Sequence, residues 1–215
     1  MDIIFSQFAL GLIFLTIVFL HLTKKNFSAS AAYAVQSVAV IAFLVSSYLE
    51  TKNNYLLLIV LLTIIVKVIL SQVFFIRLIR KHELPFSVST YVNTPITLVI
   101  IAILTFVAHS QKLSPLTSII PANQALLSLA LSAILISLFL IVNRKGVFSQ
   151  IIGVLSLENS IVAFIIFAGL EQSPALQAGI IFNIFIWVII ATVFASMIYE
   201  HFGSHDITTM KNLKD

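Results

Sequence analysis

The 215-residue chain is 60% hydrophobic and only 9% charged, with a formal net charge of +4 and no cysteine. A soluble domain carries about 25% charged residues, so this chain has too little polar surface to fold in water, and lipid must be its solvent. The missing cysteines exclude disulfides, thiolate-held iron–sulfur clusters and cysteine-based zinc sites, and basic residues gathered at the ends of apolar runs point to membrane topology rather than nucleic acid.

A membrane-spanning helix needs about 20 apolar residues. Seven stretches qualify: 3–22, 30–49, 55–76, 91–109, 124–142, 148–169 and 176–199. The first has no Lys or Arg before it, and the pair Lys24–Lys25 follows it. That order is wrong for a cleaved signal peptide and suits a retained helix with its N-terminus outside. The fourth stretch opens with Asn93-Thr94-Pro95, which predicts an irregular or kinked first turn. The seventh ends at Tyr199, and a polar tail, 201–215, follows.

The joints at 23–29, 77–90, 143–147 and the tail hold Lys24, Lys25, Arg77, Arg80, Lys81, Arg144, Lys145, Lys211 and Lys214. The alternate joints hold only Lys52 and Lys112. Basic residues collect on the cytoplasmic side, so the expected fold is an all-α, polytopic transmembrane bundle of seven spans. Its N-terminus is out and its C-terminus in, residues 1–200 form one membrane domain, and 201–215 form a cytoplasmic tail. No Walker loop, dinucleotide fingerprint or H-E-x-x-H motif occurs, so no catalytic, cofactor or metal residue is expected in this chain. His201 and His205 have a ligand-like spacing but belong to the polar tail.

Within the spans, the residues that lipid disfavours carry the information. A charged side chain at a helix centre costs about 2.5–3.5 kcal/mol on insertion scales. Lys67 lies near the middle of the third span, with Thr63 and Ser71 four residues to either side on one face. One reading is a cation in a buried proton or ion path. The other is snorkelling, but Arg77, the first residue of the basic joint, is ten positions on, about 15 Å of helix. Glu158, in the sixth span, is either a proton carrier or a structural carboxyl at a helix contact. Gln36, Asn93, Asn159 and Asn183 complete the candidate path; interhelical packing is the simpler role for each amide alone. Lys67 and Glu158 can pair if the third and sixth spans touch, which the sequence leaves open.

Four stretches give the chain a family resemblance. Ala32-Tyr33-Ala34-Val35-Gln36-Ser37 is similar to a Leu-Tyr-Ala-Leu-Gln-Ser start of a second span. Lys67-Val68-Ile69 leading to Arg77-Leu78-Ile79-Arg80 is similar to a third span and its basic exit. Tyr91-Val92-Asn93-Thr94-Pro95 matches an Asn-x-Pro start of a fourth span. Gln150 to Ser160, with Leu157-Glu158-Asn159-Ser160, is similar to a Gln-x-x-Gly…Leu-Glu-Asn-Gly segment. In these the chain resembles the hydrogenase-4 component E family, membrane subunits of complex I-related hydrogenases. Residues 124–200 also resemble the complex I K subunit and the C subunit of multi-subunit sodium/proton antiporters.

The resemblance implies a non-catalytic subunit of a prokaryotic cytoplasmic (inner) membrane. Its implied partners are antiporter-like membrane subunits and a peripheral hydrogenase or other oxidoreductase module holding the nickel–iron and iron–sulfur centres. Two departures stand out. The K subunit's membrane Glu falls at Leu155, and the last-span Asp of many relatives is Asn183, which cannot exchange a proton. The rival expectations are a free-standing secondary transporter and a purely structural subunit with no ion path.

Overall fold

The computed structural model describes residues 3–52, 54–81, 83–87, 89–168 and 189. The expected seventh span, with Asn183, and the tail 201–215 lie outside the described residues, apart from residue 189 alone. In lipid every backbone N–H and C=O needs an internal partner, so the apolar runs become helices. They are α1 (Ile3–Leu22), α2 (Asn26–Thr51), α3 (Asn54–Thr63), a π-helix (Ile64–Leu70), α4 (Ser71–Lys81), α5 (Thr94–Ala108), a short α6 (Ser114–Thr117), α7 (Gln124–Asn143) and α8 (Val147–Phe167). α3, the π-helix and α4 follow without a break and provide a single spanning run, Leu57–Lys81. Five helical runs are long and apolar enough to cross a membrane, and a sixth is possible if a bent pair counts as one span.

That pair corrects the expected fourth span. α5 has 15 residues, about 22 Å at 1.5 Å per residue, against a hydrocarbon core of about 30 Å. The chain then bends by 54° into Gln111–Thr117. The irregularity expected at Pro95 is absent. Pro95 sits in the first turn of an orderly helix, where a missing N–H costs nothing, and the Asn93 side chain caps it by accepting from the Ile96 N–H at 3.1 Å. The break falls at the other end, where Ser110 turns extended after the helix cap at His109.

α7 and α8 form the central hairpin, with α1 packed on α2 and α7, α2 also on α8, and α5 outside on α7. Leu10, Ile13, Phe43, Leu127, Ile136 and Ala163 are fully buried at its core. Gly153 lets the hairpin close: a Cβ there would lie 2.9 Å from Ile141 Cγ1 and 3.4 Å from the Ile141 backbone nitrogen.

One end of the bundle is laced by the segment between α4 and α5. The Ser87 N–H donates to the Lys24 carbonyl at 2.7 Å, the Asn26 N–H to Pro85 at 3.1 Å and the Tyr91 N–H to Asn143 at 3.0 Å. Lys25 and Phe86, and Thr90 and Arg144, form isolated antiparallel bridges. The three basic joints 23–25, 77–90 and 143–146 therefore share one end, as their charges require. Arg144 is only 3% exposed. Its guanidinium donates to the carbonyls of Leu20, His21 (3.0 Å) and Thr23 (2.8 Å) and to Ser87 Oγ (3.1 Å). It thus satisfies the open carbonyls at the C-terminus of α1. Burial pulls its pKa below the usual guanidinium value.

Candidate functional site

The π-helix carries Lys67 into the bundle. The run Ile64-Ile65-Val66-Lys67-Val68-Ile69-Leu70 is rich in β-branched residues, which are mediocre α-helix formers. Its wider turn is closed at the C-terminal end by the Ser71 N–H and Ser71 Oγ, both bonded to the Val66 carbonyl. Thr63, Lys67 and Ser71 are all buried, so the polar face expected from their spacing is the inward one. Thr63 Oγ1 donates to the Ile59 carbonyl at 2.7 Å. Both hydroxyls are thus spent on their own backbone, and the acceptors for Lys67 come from another helix.

That helix is α8. Lys67 Nζ donates to Glu158 Oε1 at 2.8 Å, to Glu158 Oε2 at 2.6 Å and to Asn159 Oδ1 at 2.8 Å. An ammonium has three donors, and here each has an oxygen. The lysine side chain is 2% exposed and that of Glu158 19%, so the carboxylate forms the rim of the site and the ammonium its floor. Removing two charges from water costs several kcal/mol per ion, and such a pair is weak evidence for added stability. Its chemistry is more telling: a proton donor and a carboxylate base lie within transfer distance inside a membrane helix bundle.

Further polar side chains line the neighbouring faces. On α2, which packs against both the π-helix and α8, Tyr33, Gln36 and Ser37 are fully buried. On α8, Ser156 and Ser160 are fully buried, and Ser160 Oγ lies 3.4 Å from Ser137 Oγ of α7. Five buried atoms in this region have no partner among the described residues: Tyr33 Oη, Gln36 Oε1 and Nε2, Ser156 Oγ and Asn159 Nδ2. Tyr33 is also within electrostatic reach of Glu158. Buried polar atoms are rarely left unsatisfied, and ordered water is a common partner.

Of the residues singled out from sequence, the fold brings Lys67, Glu158 and Asn159 into contact. It also buries Gln36 on the adjoining helix α2. Asn93 stands apart from them, exposed at the start of α5, where it is a helix cap. Asn183 lies outside the described residues. Leu155, at the K-subunit Glu position, is buried in an apolar cluster with Tyr33, Phe75 and Phe148. Tyr33 and Ser156 were not singled out. The available signal was spacing: Tyr33 stands three residues before Gln36, and Ser156 three before Asn159. Among the described residues no three His, Asp or Glu side chains gather as a metal site would require.

Residues 125–215 match the family model for NADH-ubiquinone/plastoquinone oxidoreductase chain 4L. The match covers α7 and α8 and continues to the end of the chain. It supports a membrane subunit of a complex I-like assembly. No curated protein and no solved structure matches the chain.

Proposed function

We propose that this chain is a non-catalytic membrane subunit of a complex I-related complex of the hydrogenase-4 type, and that Lys67, Glu158 and Asn159 form a protonatable element in its membrane arm. The observation that carries this reading is the Lys67 ammonium, held by the Glu158 carboxylate and the Asn159 amide inside the bundle. Glu158 is the accessible member, so exchange with a neighbouring antiporter-like subunit runs through its exposed edge. A proton passing between Lys67 and Glu158 converts the ion pair into a neutral pair without moving the backbone. Water bound at Gln36, Asn159 and Tyr33 extends the path along α2. Electron transfer belongs to the soluble module and its nickel–iron and iron–sulfur centres; this chain has no thiolate to hold them.

The test is Glu158→Gln in the intact complex, assayed for electron transfer and ion movement in sealed vesicles. The expected result is normal assembly with loss of ion movement coupled to electron transfer. Wild-type coupling would assign the cluster to packing alone. A protein that purifies by itself and moves ions without partners would make it a free-standing transporter.

A further inference from the structure

The outward end of α4 carries a feature that the proposed path does not use. Arg77, Arg80 and Lys81 stand at i, i+3 and i+4 and are all exposed, which puts them on one helix face. With Val73 and Ile76 they line an open groove of about 540 Å³. The opposite face of α4 is committed to the core through Phe75, Leu78 and Ile79. Among the described residues neither Arg77 nor Arg80 joins an ion pair. Directly along the rod from this basic cluster, Ile65, Ile69 and Val73 are 46%, 51% and 56% exposed. They form an apolar stripe running from the groove toward the middle of the span.

We propose that this groove binds an acidic phospholipid, with its phosphate on Arg77 and Arg80 and its acyl chains along Val73, Ile69 and Ile65. Two guanidinium groups one turn apart suit a phosphate, which each can engage through paired N–H donors. A peptide carboxylate or a free anion would use the charges but leave the stripe idle. A neutral lipid would use the stripe but leave the charges without a partner. An acidic phospholipid answers both, and basic residues flanking a span are a recurrent site for such headgroups.

The test is native mass spectrometry of the full-length protein in a neutral detergent, titrated separately with phosphatidylglycerol and phosphatidylcholine. One phosphatidylglycerol should be retained roughly tenfold more strongly than phosphatidylcholine, given the contribution of each basic residue near an anionic headgroup. Arg77→Gln/Arg80→Gln should abolish that preference, and Lys24→Gln/Lys25→Gln, at the same end of the bundle, should leave it intact. Equal retention of the two lipids by the wild-type protein overturns the proposal without reference to any variant. So does equal loss of the preference in both double variants, which would reduce it to general charge attraction. Displacement of the lipid by millimolar glycerol phosphate would also overturn it, because the anion alone would then suffice.

Discussion

Lys67 Nζ and Glu158 Oε2 lie 2.6 Å apart although 91 residues separate them along the chain. The contact fastens the π-helix to α8. It connects two expectations that the sequence leaves separate, a stray cation and a stray acid, into one neutral unit.

Removing one partner leaves the other as an uncompensated buried charge. Lys67→Met should lower unfolding stability in detergent by about 3 kcal/mol. The double variant Lys67→Met/Glu158→Leu should recover most of that loss. Reversible denaturation of the two singles and the double gives the coupling energy directly.

Asn159→Leu removes the third acceptor of the ammonium while keeping the ion pair. The expected cost is about 1–2 kcal/mol, typical of a hydrogen bond to a charged group. The same denaturation series should place it well below Lys67→Met.

Arg144→Met opens the carbonyls of Leu20, His21 and Thr23 at the end of α1 and frees Ser87. A loss of about 3 kcal/mol is expected from several charge-assisted bonds. Proteolysis should then begin in the 83–93 segment, because Arg144 is its anchor to the helix ends. An unchanged cleavage pattern would contradict the clamp.

Gly153→Val should separate α7 from α8. Even a methyl would crowd Ile141 Cγ1 at 2.9 Å, and the branched side chain has the Ile141 backbone in its way. Overpacking of this kind costs about 1–3 kcal/mol. Gly153→Val/Ile141→Ala should regain part of it, as read by thermal unfolding.

Ser137→Cys/Ser160→Cys gives a geometric check in a background that has no other cysteine. Their hydroxyl oxygens are 3.4 Å apart, and a disulfide needs facing β-carbons within about 4.5 Å. Mild oxidation should cross-link α7 to α8 in the double variant and leave each single variant monomeric on denaturing gels.

Much of the membrane architecture could be read from residue type alone. Runs such as 3–22 and 124–142 announce spans because lipid admits little else, and they recur as Ile3–Leu22 and Gln124–Asn143. Lys67 and Glu158 stood out for the same reason, as violations of that rule. Their pairing was not legible, because a contact across 91 residues depends on helix order in space. Arg144 was misleading in a different way. Counted by sign it is a topological charge like Lys145, and only the fold reveals it as buried beneath three carbonyls. The break after Ala108 was hidden by continued apolarity: Thr105-Phe106-Val107-Ala108 reads straight on into His109.

The π-helix at Ile64–Leu70 makes chain length itself a determinant of this protein. A π segment holds more residues per turn than an α-helix, so it stores a surplus residue relative to an ordinary rod. Deleting one residue between Lys67 and Ser71 would let the segment relax to α geometry and turn everything beyond it by about 100°. Lys67 would still face Glu158, but Gln72 would swing away from Ser30, which it now grips through both amide atoms. Phe75 and Leu78 would rotate out of the core, and Arg77 would rotate off its present face. Substitutions in this stretch alter one side chain at a time, whereas a gap of one residue re-indexes the entire second half of the span. In an alignment of relatives, this segment should tolerate changes of letter far better than changes of count.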